Sequence, residues 1–207
     1  MEKELEPQAK RGGDAPVEIF KERLVLASAS PRRAEILRAV RWPFEKLAVD
    51  IDETRFPAED AVSYVERLAR EKAEAAARMR RGSLVLGADT VVVVEGEVLG
   101  KPRGEPDARR MLGLLSGRWH EVLTGVALVP GAEGARPHVA HEKTRVRFAQ
   151  MSEAEINWYA ATGEPQDKAG AYAIQGRAAL FIEEISGDYW NVVGLPVHLV
   201  YKLARGL

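Results

Sequence analysis

A chain of 207 residues is long enough for one α/β domain with a sizeable core. Its 46% hydrophobic and 29% charged residues are those of a soluble globular protein, and a formal net charge of −1 gives no general pull toward nucleic acid or a membrane surface. The lack of cysteine excludes disulfides, thiolate nucleophiles and Cys-ligated metals, and no apolar run is long enough to span a bilayer.

Residues 1–22 are polar and carry no apolar signal-peptide core, so they are expected to form a flexible extension of a cytoplasmic protein. A short apolar strand at 23–27 then runs into Ser28-Ala29-Ser30-Pro31-Arg32-Arg33 and a helical pattern reaching about residue 41. Ser30 reads as an N-cap and Pro31 as the first helical residue. Arg32 and Arg33 then fall against the positive end of the helix dipole, where acidic residues are favoured. Either both are solvated charge, or a bound polyanion compensates them with help from Ser28, Ser30 and free amides.

Residues 42–49 suggest a second strand, followed by the acidic stretch Asp50-Ile51-Asp52-Glu53. A long helix over 58–80 carries an apolar stripe through Val65, Leu68 and Ala76, and Lys72 lies on that stripe. Its ammonium either snorkels along the core or reaches into a cleft. Residues 83–94 read as a strand buried on both faces, Glu95-Gly96 as a turn, and 97–99 as the returning hairpin arm. A helix over 106–115 and strands over 120–129 and 137–148 follow. Ser152 and Glu155 form a capping box for a helix stopped by Gly163. Beyond it short strands and glycine turns are expected, including a short strand within 187–196, before a last helix near Pro196. The alternation argues an α/β fold, with a mixed central sheet flanked by helices.

Asp89 interrupts the 83–94 strand beside Gly87, Ala88 and Thr90. A carboxylate there is costly unless paired, hydrogen-bonded or on a metal. It is either a structural group at a strand end, or a general base or metal ligand. Asp50, Asp52 and Glu53 form either a solvated loop or a hard-cation site of the kind that shares Mg²⁺ with substrate phosphates. Lys101, between Gly100 and Pro102, can approach a phosphate closely. Gly96 to Lys101 is not a P-loop, because the spacing is one residue short and the context is a hairpin. His138 and His141, three apart on a strand, are not joint ligands. Gln175, between Ile174 and Gly176, either reads a base edge through its amide or sits in an ordinary turn.

In order along the chain stand Leu-Ala-Ser-Ala-Ser-Pro-Arg-Arg from Leu26, Leu-Ala-Arg-Glu-Lys from Leu68, Gly-Ala-Asp-Thr-Val-Val from Gly87, Gly-Lys-Pro from Gly100, Leu-Ser-Gly from Leu115, Asp-Lys-Ala-Gly-Ala-Tyr-Ala-Ile-Gln-Gly from Asp167 and Asn-Val-Val-Gly-Leu-Pro from Asn191. This ordered set resembles the Maf family of nucleoside triphosphate pyrophosphatases over residues 23–207, which would form a single domain. The resemblance implies two lobes around a cleft, a fold related to inosine-triphosphate pyrophosphatases, and often a homodimer. It implies hydrolysis of a nucleoside triphosphate to monophosphate and pyrophosphate with a divalent metal, Mg²⁺ first and Mn²⁺ or Co²⁺ as alternatives. Asp89 would be the proton acceptor, completed by Glu53, Lys72 and Lys101, with Glu53 and Asp89 holding the metal. Ser28, Ser30, Arg32 and Arg33 would bind the triphosphate, and Arg32, Thr90 and Gln175 would set specificity for dTTP and UTP over 7-methyl-GTP. The family name also carries an association with septum formation, so a nucleotide-binding regulator of cell division is the alternative.

Overall fold

Strand β1 (Leu24–Ala27) is buried at every position, as an unbroken apolar run requires of a strand covered on both faces. The computed structural model describes residues 24–132 and 134–207; Arg23 and the extension expected over 1–22 lie outside them. After β1 come α1 (Pro31–Ala39), β2 (Phe44–Lys46), α2 (Ala61–Met79), β3 (Leu84–Val94), β4 (Glu97–Leu99), α3 (Glu105–Leu115), β5 (Trp119–Val129) and β6 (His138–Phe148). Then α4 (Glu153–Ala161), three 3-10 turns (Glu164–Asp167, Ala169–Ala171, Arg177–Phe181), β7 (Ile182–Ser186), α5 (Tyr189–Val193) and α6 (Val197–Ala204) complete the chain. The strands form one seven-stranded sheet in the order β2-β1-β3-β5-β6-β7, with β4 also paired to β3. β2, β1 and β3 are parallel, and the remaining pairs are antiparallel.

Alternation along β3 divides its side chains between two faces. Leu84, Leu86 and Ala88 join Leu24 and Leu26 against Ile36 and Leu37 of α1 and Leu199 and Val200 of α6. Val85 joins Val25, Ala27 and Ala127 against Ala69, Ala73 and Ala76 of α2. Further along, Val92 and Val94 leave that arrangement. With Val122, Val146 and Phe148 they pack on Met111, Leu112 and Leu115 of α3 and on Tyr159 of α4, forming a second lobe. β3 and β5 therefore belong to both lobes. Thr90 and Thr124 face each other in register at the changeover.

Helix α2 lies unusually close to the sheet. A Cβ on Gly87 would stand 2.2 Å from the Ala69 carbonyl oxygen, and one on Gly125 2.2 Å from the Val65 carbonyl oxygen. Only glycine allows a helix backbone to rest on strand backbone in this way. Asp60 caps the helix, accepting from the Val62 and Ser63 N–H groups at 2.9 and 3.0 Å, a contribution of about 1 kcal/mol.

Several expected elements are shorter or different. The 58–80 helix starts only after its Asp60 cap, and the 42–49 strand is limited to Phe44–Lys46, because Trp42 turns into the core instead of pairing. The short strand expected within 187–196 is a helix: Asp188 accepts from the Trp190 and Asn191 N–H groups and starts α5. Other local signals hold. The capping box of Ser152 and Glu155 is formed, Gly163 takes φ +76°, and Glu95-Gly96 takes φ 49° and 84° as a two-residue hairpin turn requires. Among the described residues no helix is long and apolar enough to cross a membrane.

Candidate active site

The acidic loop, α2 and β3 converge on one cluster. Lys72, only 9% exposed, reaches from α2 with Nζ 2.7 Å from Asp89 Oδ1 and 2.6 Å from Glu53 Oε1. The ammonium of Lys72 therefore ends between two carboxylates instead of snorkelling to solvent. Asp89 has a side chain 13% exposed, whereas that of Glu53 is 54% exposed, so the cluster opens toward water on the Glu53 side. Burial works to raise the pKa of Glu53, but the hydrogen bond and charge of Lys72, with the charges of Lys101 and Arg33, outweigh it and hold the group below the usual carboxylate range. Tyr64, one helical residue before Val65, donates its hydroxyl to the Glu53 carbonyl at 2.8 Å and ties the acidic loop to α2. Burial, reinforced by the charges of Asp89 and Glu53, pushes the Tyr64 phenol up to about 12, so it stays a donor.

The β1–α1 junction lies on the opposite side of β3. Ser30 occupies the N-cap position and Pro31 begins the helix, but the Ser30 hydroxyl makes no capping bond. The loop is held instead by Ser28, whose Oγ accepts from the Ser30 N–H at 3.1 Å. The two arginines part company here. Arg33 turns inward and is 8% exposed. Its Nε donates to the Gly194 carbonyl at 2.9 Å, Nη1 to the Ala88 carbonyl at 2.7 Å and to Ser28 Oγ at 3.2 Å, and Nη2 to Thr90 Oγ1 at 3.1 Å. Burial lowers its pKa, and the nearby charge of Asp89 works against that lowering. Thr90 also lies 3.0 Å from Thr124 Oγ1. Arg33 thus ties together α1, the backbone beside Asp89, and the turn after α5. Arg32 points outward to Asp167.

Asp89 and Thr90, adjacent on a strand, project from opposite faces: Asp89 toward α2, Thr90 toward α1 and Gly194. Lys101, just after β4, is exposed and close enough for its charge to act on Glu53. Gln175 is exposed in the stretch between two 3-10 turns. The carboxylates border neither of two cavities formed elsewhere, one of 250 Å³ beside Trp119 and Arg145 and one of 490 Å³ beside Arg38 and Phe44. Among the described residues no group of three His, Cys, Asp or Glu could hold a metal unaided. Glu53 Oε1 and Asp89 Oδ1 face Lys72, which leaves one further oxygen on each carboxylate. Two carboxylates completed by substrate phosphates are the donor set that Mg²⁺ commonly takes.

Sequence reasoning gave Tyr64 no role, named Asp167 only as the start of a matching stretch, and found no nearby partner for His120. His120 is 2% exposed, its Nε2 lies 2.9 Å from the Tyr172 hydroxyl, and burial lowers its pKa to about 4.

The fold is that of Ham1 proteins. Those of Staphylococcus aureus and Coxiella burnetii superpose with TM-scores of 0.51 and 0.52, covering 89% and 90% of this chain and 99% and 100% of theirs, at 16% and 18% identity. At sequence level, residues 23–207 match the family model described as Maf-like protein, and the chain belongs to that family. It is 58% identical to a dTTP/UTP pyrophosphatase of Symbiobacterium thermophilum, covering 88% of this chain and 92% of that one. It is 53% identical to a dTTP/UTP pyrophosphatase of Hahella chejuensis, over 84% and 87% of the respective chains.

Proposed function

We propose that this protein is a nucleoside triphosphate pyrophosphatase that hydrolyses dTTP and UTP to the monophosphate and pyrophosphate. The observation that carries the proposal is the Lys72 ammonium set between Glu53 and Asp89, in a chain whose relatives bear that name over most of their length. The Lys72 ammonium helps hold Glu53 below the usual carboxylate range and sets both carboxylates side by side, where a water molecule and a polyphosphate can meet them. Asp89 accepts the proton of a water attacking the α-phosphorus. Lys72 and Lys101 meet the negative charge that builds on departing pyrophosphate. Ser28 and Ser30 shape the loop that lies along the substrate. Arg33 acts from within, fixing the Ala88 carbonyl next to Asp89 and the Thr90 hydroxyl.

A divalent metal, Mg²⁺ first, fits the oxygens of Glu53 and Asp89 turned away from Lys72, and it supplies charge neutralisation and Lewis acidity at the phosphates. On the same reading, residues 23–207 form one catalytic domain of a cytoplasmic homodimer, with residues 1–22 outside it.

The test is product analysis over a panel of nucleoside triphosphates with Mg²⁺, with and without added inorganic pyrophosphatase. Orthophosphate that appears only with the coupling enzyme, and chiefly from dTTP and UTP, is the expected result. Orthophosphate without it overturns the reaction class. Binding without any turnover would favour the regulator of cell division.

A further inference from the structure

The first turn of α1 is tied to the 3-10 turn before Lys168, beside the second lobe, by one ion pair. Arg32 Nη1 donates to Asp167 Oδ2 at 2.8 Å, and Arg32 Nη2 donates to the Asp167 carbonyl at 3.0 Å. One edge of the guanidinium is therefore committed to a single residue 135 positions away. Asp167 closes the 3-10 turn Glu164–Asp167. Its other carboxylate oxygen accepts from Lys168, which also donates to the Glu164 carbonyl at 2.8 Å. The Glu164 side chain accepts from the Arg177 N–H at 3.0 Å, and Gly176 lies so close that a Cβ there would be 2.2 Å from Glu164 Oε1. Gln175 immediately precedes that contact. Asp167 and the backbone of Gln175 thus belong to one tightly bonded unit, and the ion pair fastens Arg32 to it.

The chemistry of the pair favours a base over a phosphate. A guanidinium whose charge is already matched by a carboxylate is a weak trap for polyphosphate, but its remaining N–H groups still donate. The side chains of Arg32 and Asp167 are 24% and 57% exposed, so the pair is open to a ligand, unlike Arg33. Uracil and thymine offer a carbonyl acceptor where cytosine offers an amino donor. A donor-only arginine beside a glutamine, which both donates and accepts, discriminates these bases in the required sense.

Resting on the nucleotide reading above, we propose that Asp167 is a specificity-positioning residue: it grips one edge of Arg32 and holds the guanidinium beside the Gln175 segment, so that the pyrimidine is met by both lobes at once.

The experiment compares wild type with Asp167→Asn on UTP, CTP and base-free tripolyphosphate, and measures UMP and CMP binding by calorimetry. For a partly exposed ion pair the expected loss is about two- to fivefold. It should appear as a raised KM for UTP, a lower UTP-to-CTP ratio and weaker UMP binding, and exceed any loss on tripolyphosphate by that factor. Arg32→Ala combined with Asp167→Asn should be no worse than Arg32→Ala alone, since the carboxylate acts through the guanidinium. Arg32→Lys, which keeps the charge and loses the fork, should reproduce the loss of selectivity. Equal losses on UTP and tripolyphosphate, or an unchanged base ratio and unchanged UMP binding, overturn the proposal. A wild type that hydrolyses no triphosphate overturns the enzymatic reading instead, and the UMP and CMP titrations still decide the role of Asp167.

Discussion

Replacing Gly87 with alanine tests whether the closeness of α2 to the sheet sets the reaction geometry. The added Cβ would sit 2.2 Å from the Ala69 carbonyl oxygen and 2.8 Å from the Ala73 nitrogen. Both obstacles are helix backbone, so no side-chain rotation relieves them. An unstrained contact needs about 3.5 Å, so the helix must retreat by roughly 1 Å. Overpacking of this kind costs about 1–3 kcal/mol, which lowers the melting temperature of a chain this size by roughly 2–12 °C. Lys72 lies between Ala69 and Ala73 and must move with them, away from its 2.7 Å contact with Asp89. A displacement near 1 Å costs about 100-fold in turnover. Steady-state kinetics at a temperature where both proteins are folded separate this loss from unfolding. Gly113→Ala is the control: it lies exposed in α3, a Cβ there meets nothing within 4 Å, and it should stabilise by about 0.5–1 kcal/mol without touching turnover. A Gly87→Ala protein with wild-type melting and wild-type turnover would refute the reasoning.

Asp89→Asn should lower turnover by about 100-fold or more while nucleotide binding largely survives; wild-type rates would remove Asp89 as proton acceptor. Gln175→Ala should flatten the preference among bases more than it weakens triphosphate binding, and an unaltered profile across dTTP, UTP and CTP would exclude it from base reading. His120 has its pKa lowered from 6.5 to about 4 by burial. As pH falls between those values the unfolded chain gains a proton that the folded protein refuses, so stability is lost through that window, by at most about 3 kcal/mol. Urea melts of His120→Gln should show a shallower acid limb, and an identical limb would assign the loss to other groups.

Local chemistry made much of this molecule legible beforehand. The apolar run 83–94, the Ser152 and Glu155 box and the Glu95-Gly96 turn each carry their structure within a few residues. Depth is what periodicity cannot supply. Lys72 lies on the apolar stripe of α2 in either of its two readings, and the choice is made by how closely that helix rests on Gly87 and Gly125. The same limit separates Arg32 from Arg33. Both stand at a helix start, but Arg33 shares its face with Ile36 and Leu37, three and four residues on, and all three are buried. That spacing was available and points Arg33 inward. The α5 helix was hidden by the adjacent β-branched Val192 and Val193, yet Asp188 in front of it was a readable cap. The partners of Asp167 and Tyr64 could not be read, because they lie 135 and 11 residues away.

Because β3 and β5 run through both lobes, the lobes have no linker between them. The two cores are joined through continuous strands, β3 and β5 with β6 alongside, where the first core gives way to the second. That place is the rung of Thr90 and Thr124, one residue from Asp89. The crossing point between the two cores and the Asp89 carboxylate share one stretch of backbone. A substitution that loosens this rung is therefore felt by both cores, and it reaches Asp89 through a single peptide bond.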